Sequence, residues 1–352
     1  MPALELKIVF NALMSPRWLV LLLAILVLAA LAWALVSGPS TAPGGTVTVY
    51  SGRGEQFLEP LAAAFEARTG IRVRTLPAGS AELLQRILHE GDRTPCDVYL
   101  TNDSATLEAA RAQGLLAPLP AGSIARLEPR FRGQDGAWIG VSARVRVIVY
   151  NPALLEGKLS SVLELAEARW KGKVARIQSG NESFVSGISS MAAAIGVDPT
   201  REFLRGLRDN TEPAGVFDKH TPIVEAVAAG EFALGYVNHY YYYRHKAERP
   251  GDPIDVLWPD QAAGAMGAAW NVAGAALMTS APNPEAGRRF LEFLLSEEAQ
   301  RVFADRNYEY PVVEGVAAHP DVRPRTGLHL AEAGVEEMGR RRSETVDLIQ
   351  EL

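Results

Sequence analysis

The sequence predicts a mixed α/β protein built as two lobes that share a pair of crossing strands, and three features carry that expectation. From residue 46 onward, short β-branched runs alternate with stretches whose apolar residues recur at helical spacing. Two longer β-branched runs, "ARVRVIVYN" at 143–151 and "WNVAGAALM" at 270–278, stand outside that alternation and bracket a second mixed region. Residues 46–352 are enough for two lobes of ordinary size and too many for one small core.

The elements follow in order. "TVTVYSG" (46–52) is a short β run ending in glycine, and "EQFLEPLAAAFEARTG" (55–70) is a helix that stops at Gly70. "IRVRTLPAG" alternates as a strand, "SAELLQRILHEGD" reads as a helix with Ser80 as its N-cap, and "CDVYLTND" reads as a buried strand. "SATLEAARAQGLLAPL" is a further helix, broken near Gly114. Strands and helices in this order imply a parallel sheet with right-handed crossovers, whose ligands sit beyond the carboxyl ends of the strands. Those ends are "YSGR" at 50–53, "AGS" at 78–80 and "TNDS" at 101–104.

Between the two long runs lie "KVARIQSG", a helix from Ser183, "PAGVFD", the helix "TPIVEAVAAGE" and "FALGYVN". A chain that leaves one lobe by one strand and returns by another has the wiring of a hinged two-lobe binding protein. The first lobe is expected over 46–145 plus 271–315 and the second over 146–270, with a C-terminal helical segment at 316–352. "PNPEAGRRFLEFLLSEEAQRVFADR" (282–306) supplies helices after the return, and "NYEYPVV" closes a sheet or wraps an edge.

Ahead of the lobes, Trp18 to Val36 form an uncharged apolar run of 19 residues, nearly enough to cross a hydrocarbon core of about 30 Å. Lys7 and Arg17 stand against one acidic residue, Glu5, in the stretch before it, which keeps the N-terminus cytoplasmic and exports the rest. Residues 1–17 are thus a cytoplasmic n-region, 18–37 a transmembrane anchor or signal helix, and 38–45 a linker. The small-x-small sites lie inside the apolar run, and "STA" ending at Ala42 is followed by Pro43. Neither is a good cleavage context, so a retained anchor is expected.

A formal charge of −6 and a pI near 5.7 give no electrostatic reason to expect nucleic acid. The single cysteine, Cys96, excludes an internal disulfide framework and reads as a small buried residue. The sequence has no Walker or GxGxxG loop and no cysteine–histidine zinc spacing.

One stretch is chemically unusual: "GYVNHYYYYRHK" (235–246) holds five of the ten tyrosines. Together with "VTVYSGR", "AGSAELLQRILHEGDRTPCDVYLTND", "GLLAPL", "ARVRVIVYN", "WKGKV" and "NYEYPVV", in that order along the chain, it resembles the ferric-iron-binding periplasmic proteins, the solute receptors of iron(III) ABC transporters. The likeness runs from about residue 46 to about 315. It implies a type II two-lobe periplasmic-binding-protein fold whose lobes close about a two-strand hinge.

Iron(III) is a hard cation that prefers anionic oxygen. A phenol, with a pKa of about 10, becomes an anion at neutral pH only when a metal displaces its proton, so clustered tyrosines select strongly acidic cations. In a strand Tyr240 and Tyr241 would point to opposite faces, whereas in the first turn of a helix they diverge by only about 100°. The strand "EFALGYV" running into "VNHYYYYRHKAE" fits such a junction. The resemblance implies that Tyr240 and Tyr241 are iron ligands, and it matches Tyr150, at the end of the first crossover strand, to a third phenolate. Tyr236, Tyr242 and Tyr243 are expected to pack, as are Tyr50, Tyr308 and Tyr310.

Where some family members supply a histidine and a carboxylate from the first lobe, this sequence has Gly54 and Asn102. That departure implies the branch using three tyrosines and a small synergistic anion such as carbonate. Arg53 is the candidate to hold the anion by a bidentate pair, with Asn181 and Ser183 offering polar groups at a helix start. Glu55 and Asp103 are fallback ligands, His239 is a candidate donor to a phenolate or the anion, and His220 is a candidate to line the cleft.

The expected function is an extracytoplasmic receptor, monomeric and without catalysis, that captures Fe(III) and passes it to an inner-membrane ABC permease and its ATPase. The same fold binding a phosphonate, polyamine, thiamine or oxyanion is the alternative. A tethered sensor or enzyme using a tyrosine as base would need a signalling domain or a nucleophile–base pair, and neither is in the sequence.

Overall fold

The structure is a computed structural model that describes residues 44–351 apart from Gln134 and Glu212. The apolar run at 18–36 lies outside the described residues. Among the described residues no helix is long and apolar enough to cross a membrane.

The chain opens with β1 (Gly44–Ser51), α1 (Glu55–Thr69), β2 (Ile71–Pro77), α2 (Ser80–Glu90), β3 (Val98–Thr101), α3 (Ser104–Ala112) and the two-residue β4 (Leu116–Ala117). The long β5 (Ile139–Tyr150) follows. Next come β6 (Val174–Ile177), α4 (Glu182–Ile195), α5 (Val197–Thr211), β7 (Val216–Phe217), α6 (His220–Ala228), β8 (Leu234–Asn238), α7 (His239–Glu248) and β9 (Asp255–Leu257). The return strand β10 (Trp270–Met278) leads into α8 (Pro284–Leu294), α9 (Glu297–Asn307), α10 (Val335–Arg340) and α11 (Arg342–Gln350).

The strand order is β2-β1-β3-β10-β5-β8-β6-β7, with β4 on β10 and β9 on β5. β1 and β3 are parallel, as are β6 with β8 and β7, while β10 and β5 run antiparallel to their neighbours. β5 changes partner along its length. Ile139 to Val145 pair with β10, and Arg146 to Tyr150 pair with β8. The strands therefore form two groups joined through one strand. β10 is buried throughout and β5 nearly so, which is why both read as apolar runs rather than alternating ones.

Several local expectations change. β5 begins at Ile139, ahead of the expected 143. Ser80 is the first helical residue of α2 rather than its cap, and Gly79 stands at the N-cap with no side chain to offer. That helix end is completed from a distant part of the chain, since Glu182 accepts from Ser80 N–H at 2.9 Å and from Ser80 Oγ at 3.1 Å. α4 starts at Glu182, and Asn181 caps it by accepting from Ser183 N–H at 2.9 Å. Within 316–351 only α10 and α11 are helical, and residues 316–334 carry no helix. Cys96 is buried, the Tyr50 hydroxyl donates to Glu90, and the Tyr310 hydroxyl donates to the Arg323 carbonyl.

Candidate functional site

The ends of β1, β3, β6 and β8 and the middle of β5 surround a cleft of about 530 Å³. Gly52, Arg53 and Gly54 line it after β1, Asn102 after β3, and Asn181 to Ser183 at the start of α4. Arg144 enters from β5, with Tyr240 and Tyr241 at the start of α7. This is the position expected for a ligand at strand carboxyl ends.

α7 begins directly after β8, so Tyr240 and Tyr241 fall in its first turn and both face the cleft. Their ring centroids are 4.4 Å apart with planes tilted by 36°. Burial pushes the Tyr241 phenol well above its ordinary pKa, and the neighbouring Tyr240 phenol adds to that; Arg144 and Arg244 act the other way. Asn238 donates its amide to Tyr240 Oη at 3.3 Å and accepts from Arg146 Nη1 at 3.4 Å. The His220 ring lies 4.9 Å from that of Tyr241, and its Nε2 is 2.8 Å from Ser183 Oγ. Burial, then Arg146 and Arg144, hold the His220 imidazole well below its usual pKa, so it is neutral. Among the described residues no three histidine, cysteine or carboxylate side chains cluster as a metal site.

The cleft is rich in cations. Arg53, Arg144 and Lys219 line it against Glu182 and Glu309. Arg53 is not free: its Nη2 is 2.6 Å from Glu309 Oε2, and its Nη1 donates to Ser142 at 3.3 Å. Both partners are buried, and the guanidinium lies between the rings of Phe57 and Phe303. Arg144 differs. Only 5% exposed, its side chain makes no hydrogen bond or ion pair among the described residues. The sequence reading passed over it, although two arginines alternating inside the apolar run "ARVRVIVYN" were the available signal. The other of the two, Arg146, is committed: it lies 4.1 Å over the Tyr236 ring and donates to the Tyr236 carbonyl at 3.0 Å.

The structure gathers Tyr240, Tyr241, Arg53, Asn181 and Ser183 around one cleft, with Gly54 and Asn102 on its rim. Tyr150 is not among them. It pairs with Leu234 and Asp255 at the far end of β5, its hydroxyl donating to Asp255 at 3.2 Å. It stands six positions beyond Arg144, about 20 Å along an extended strand. The fallback ligands are elsewhere too. Glu55 lines a separate groove between α1 and β2, and the fully buried Asp103 caps α3 by accepting from Thr106 N–H at 2.9 Å. His239 is buried beneath the cleft, accepting from Val145 N–H at 3.2 Å and stacking on Tyr310 at 4.7 Å.

A family model described as bacterial extracellular solute-binding protein matches residues 47–309. The chain belongs to this family. Among its relatives, the iron uptake protein A1 of Synechocystis sp. is 37% identical over 286 residues, 78% of this chain and 78% of that protein. The fold matches the crystal structure of iron-bound HitA from Pseudomonas aeruginosa with a TM-score of 0.80 at 29% identity, covering 87% of this chain and 99% of the other. It also matches the Trichodesmium protein FutA, solved with iron and citrate ligands, with a TM-score of 0.74 at 30% identity, covering 87% and 99%. The described fold is thus that of the periplasmic ferric-binding proteins. In this solute-binding protein, α10 and α11 lie beyond the residues that the family model matches.

Proposed function

We propose that this protein captures ferric iron outside the cytoplasm, through Tyr240 and Tyr241, and hands it to an inner-membrane ABC permease driven by its ATPase. The adjacent phenols at the head of α7, converging on one cleft, carry the reading. Their names tie several relatives to the same cargo: iron uptake protein A1, and the iron-bound HitA structure. Two phenolates leave about four of six octahedral positions for other donors. The free guanidinium of Arg144, with Asn181 and Ser183 at the start of α4, suits an oxygen-rich anion such as carbonate that fills some of them. Arg53, neutralised by Glu309, then shapes the cleft wall instead of holding the anion.

The two strand groups act as lobes, 46–145 plus 271–315 and 146–270, that close about β5 and β10. The protein works as a monomer, tethered by the apolar run at 18–36, and binds without catalysis. Titrating residues 44–352 with Fe(III) tests the site. The wild type should develop the visible colour of iron–phenolate charge transfer. The double variant Tyr240→Phe, Tyr241→Phe, which keeps the rings and removes only the oxygens, should stay colourless with an unchanged melting temperature. Equal ferric affinity in both proteins would reject the assignment.

A further inference from the structure

The last helices, past the family match, run back over both lobes. α10 lies on α3 of the first lobe so closely that a Cβ on Gly339 would meet Glu108 Cβ at 3.1 Å and the Ala105 Cα at 3.5 Å. α11 lies on α4 of the second lobe, where the Ser189 hydroxyl donates to Thr345 Oγ1 at 2.9 Å and Leu348 and Ile349 are buried. One short segment thus touches both lobes.

At the seam between them, charges meet. Glu182 of the second lobe crosses to α2 of the first and accepts from Ser80 N–H and Oγ, finishing that helix end. Asp103 of the first lobe is wholly buried nearby. Burial, then the Asp103 charge, pushes the Glu182 carboxyl up to about 7, while Ser80 and Arg342 pull the other way. Arg342, the first residue of α11, places Nη1 3.9 Å from Asp103 Oδ1, buried and without a hydrogen-bond partner among the described residues. Two carboxylates brought together repel, and a cation beside one of them offsets part of that repulsion.

We infer that the C-terminal segment is a clasp on the closed protein: α10 and α11 bridge the lobes, and Arg342, beside Asp103, offsets the carboxylate charge at the seam where Glu182 caps α2. The inference rests on the two-lobe reading above and not on the identity of the cargo. It makes Glu182 and Arg342 positioning residues that set how firmly the cleft stays shut.

The test is a distance measurement across the cleft on the full chain without iron. Spin labels go on Gln85→Cys in the first lobe and Lys171→Cys in the second, both exposed, with the buried Cys96 left in place. Arg342→Ala and Glu182→Ala should each lower the closed-to-open ratio by about tenfold, the scale of one lost charge-assisted contact. Arg342→Lys, which keeps the charge, should stay closer to wild type and covers the case in which the alanine variant does not fold. Distances that respond to ferric citrate but to neither alanine variant would overturn the clasp alone. A single distance unmoved by ferric citrate and by every variant would overturn the two-lobe reading and the clasp with it.

Discussion

Arg53 and Arg144 look interchangeable as arginines lining one cleft, and the structure predicts opposite outcomes on removing them. Among the described residues Arg144 has no hydrogen-bond or ion-pair partner for its side chain, so Arg144→Ala strands no buried carboxylate and should leave the melting temperature within a few degrees of wild type. If its guanidinium pairs with the anion that completes the iron site, losing a desolvated charge pair of about 2–5 kcal/mol should weaken ferric binding by roughly one to three orders of magnitude. Arg53→Ala instead leaves Glu309 buried and uncompensated, having lost a 2.6 Å contact. That costs about 3–5 kcal/mol, which lowers the melting temperature by on the order of 10 °C. Calorimetric melting and ferric titration, each with and without bicarbonate, separate the two. In bicarbonate-free buffer the wild type should bind iron nearly as weakly as Arg144→Ala does. An Arg144→Ala protein with full affinity in bicarbonate, beside a stable Arg53→Ala protein that has lost its anion dependence, would refute this division of roles.

Further outcomes follow from the same geometry and from the apolar run at 18–36. Each phenol that ligates iron gives up its proton, and the bound form is the deprotonated one, so ferric affinity should rise with pH by about two decades per unit and collapse on acidification; a titration series from pH 5 to 8 checks the slope. Because His220 is held neutral by burial and by Arg146 and Arg144, it should contribute no step of its own to that series. The native protein should fractionate with membranes, and mass spectrometry should find its N-terminus upstream of Trp18; a mature chain starting between Ala34 and Gly45 would contradict the tether.

Much of this fold is legible in the sequence because hydrophobic period and glycine stops are local signals. The helix ending at Gly70, whose φ is 71°, and the strand-to-helix junction before the tyrosines follow from neighbouring residues alone. What escaped is long-range. Nothing near Arg53 announces that Glu309, 256 residues away, neutralises it. The first turn of α2 looks self-capped by Ser80 until Glu182, 102 residues on, takes the role. Tyr150 lies at one end of a 12-residue strand whose middle meets the cleft, and a matching motif does not say which part of the strand that is. Arg144 was readable in principle, because a charged residue inside a wholly buried run needs either a partner or a ligand.

The division of β5 between two sets of neighbours has an electrostatic consequence. Arg144 is registered with Asn271 on one side of the changeover, and Arg146 with Asn238 on the other, beside the phenols. Bending the strand between them would carry one guanidinium away from the tyrosine oxygens and leave the other in place. On the proposed reading, the positive potential felt by a bound anion, and through it by the metal, would then depend on how far β5, with β10 beside it, is bent. A permease that pries the lobes apart would not have to pull the iron out. By opening the protein it would remove the counter-charge that holds the anion, leaving a ferric ion with two protein ligands and open water around it.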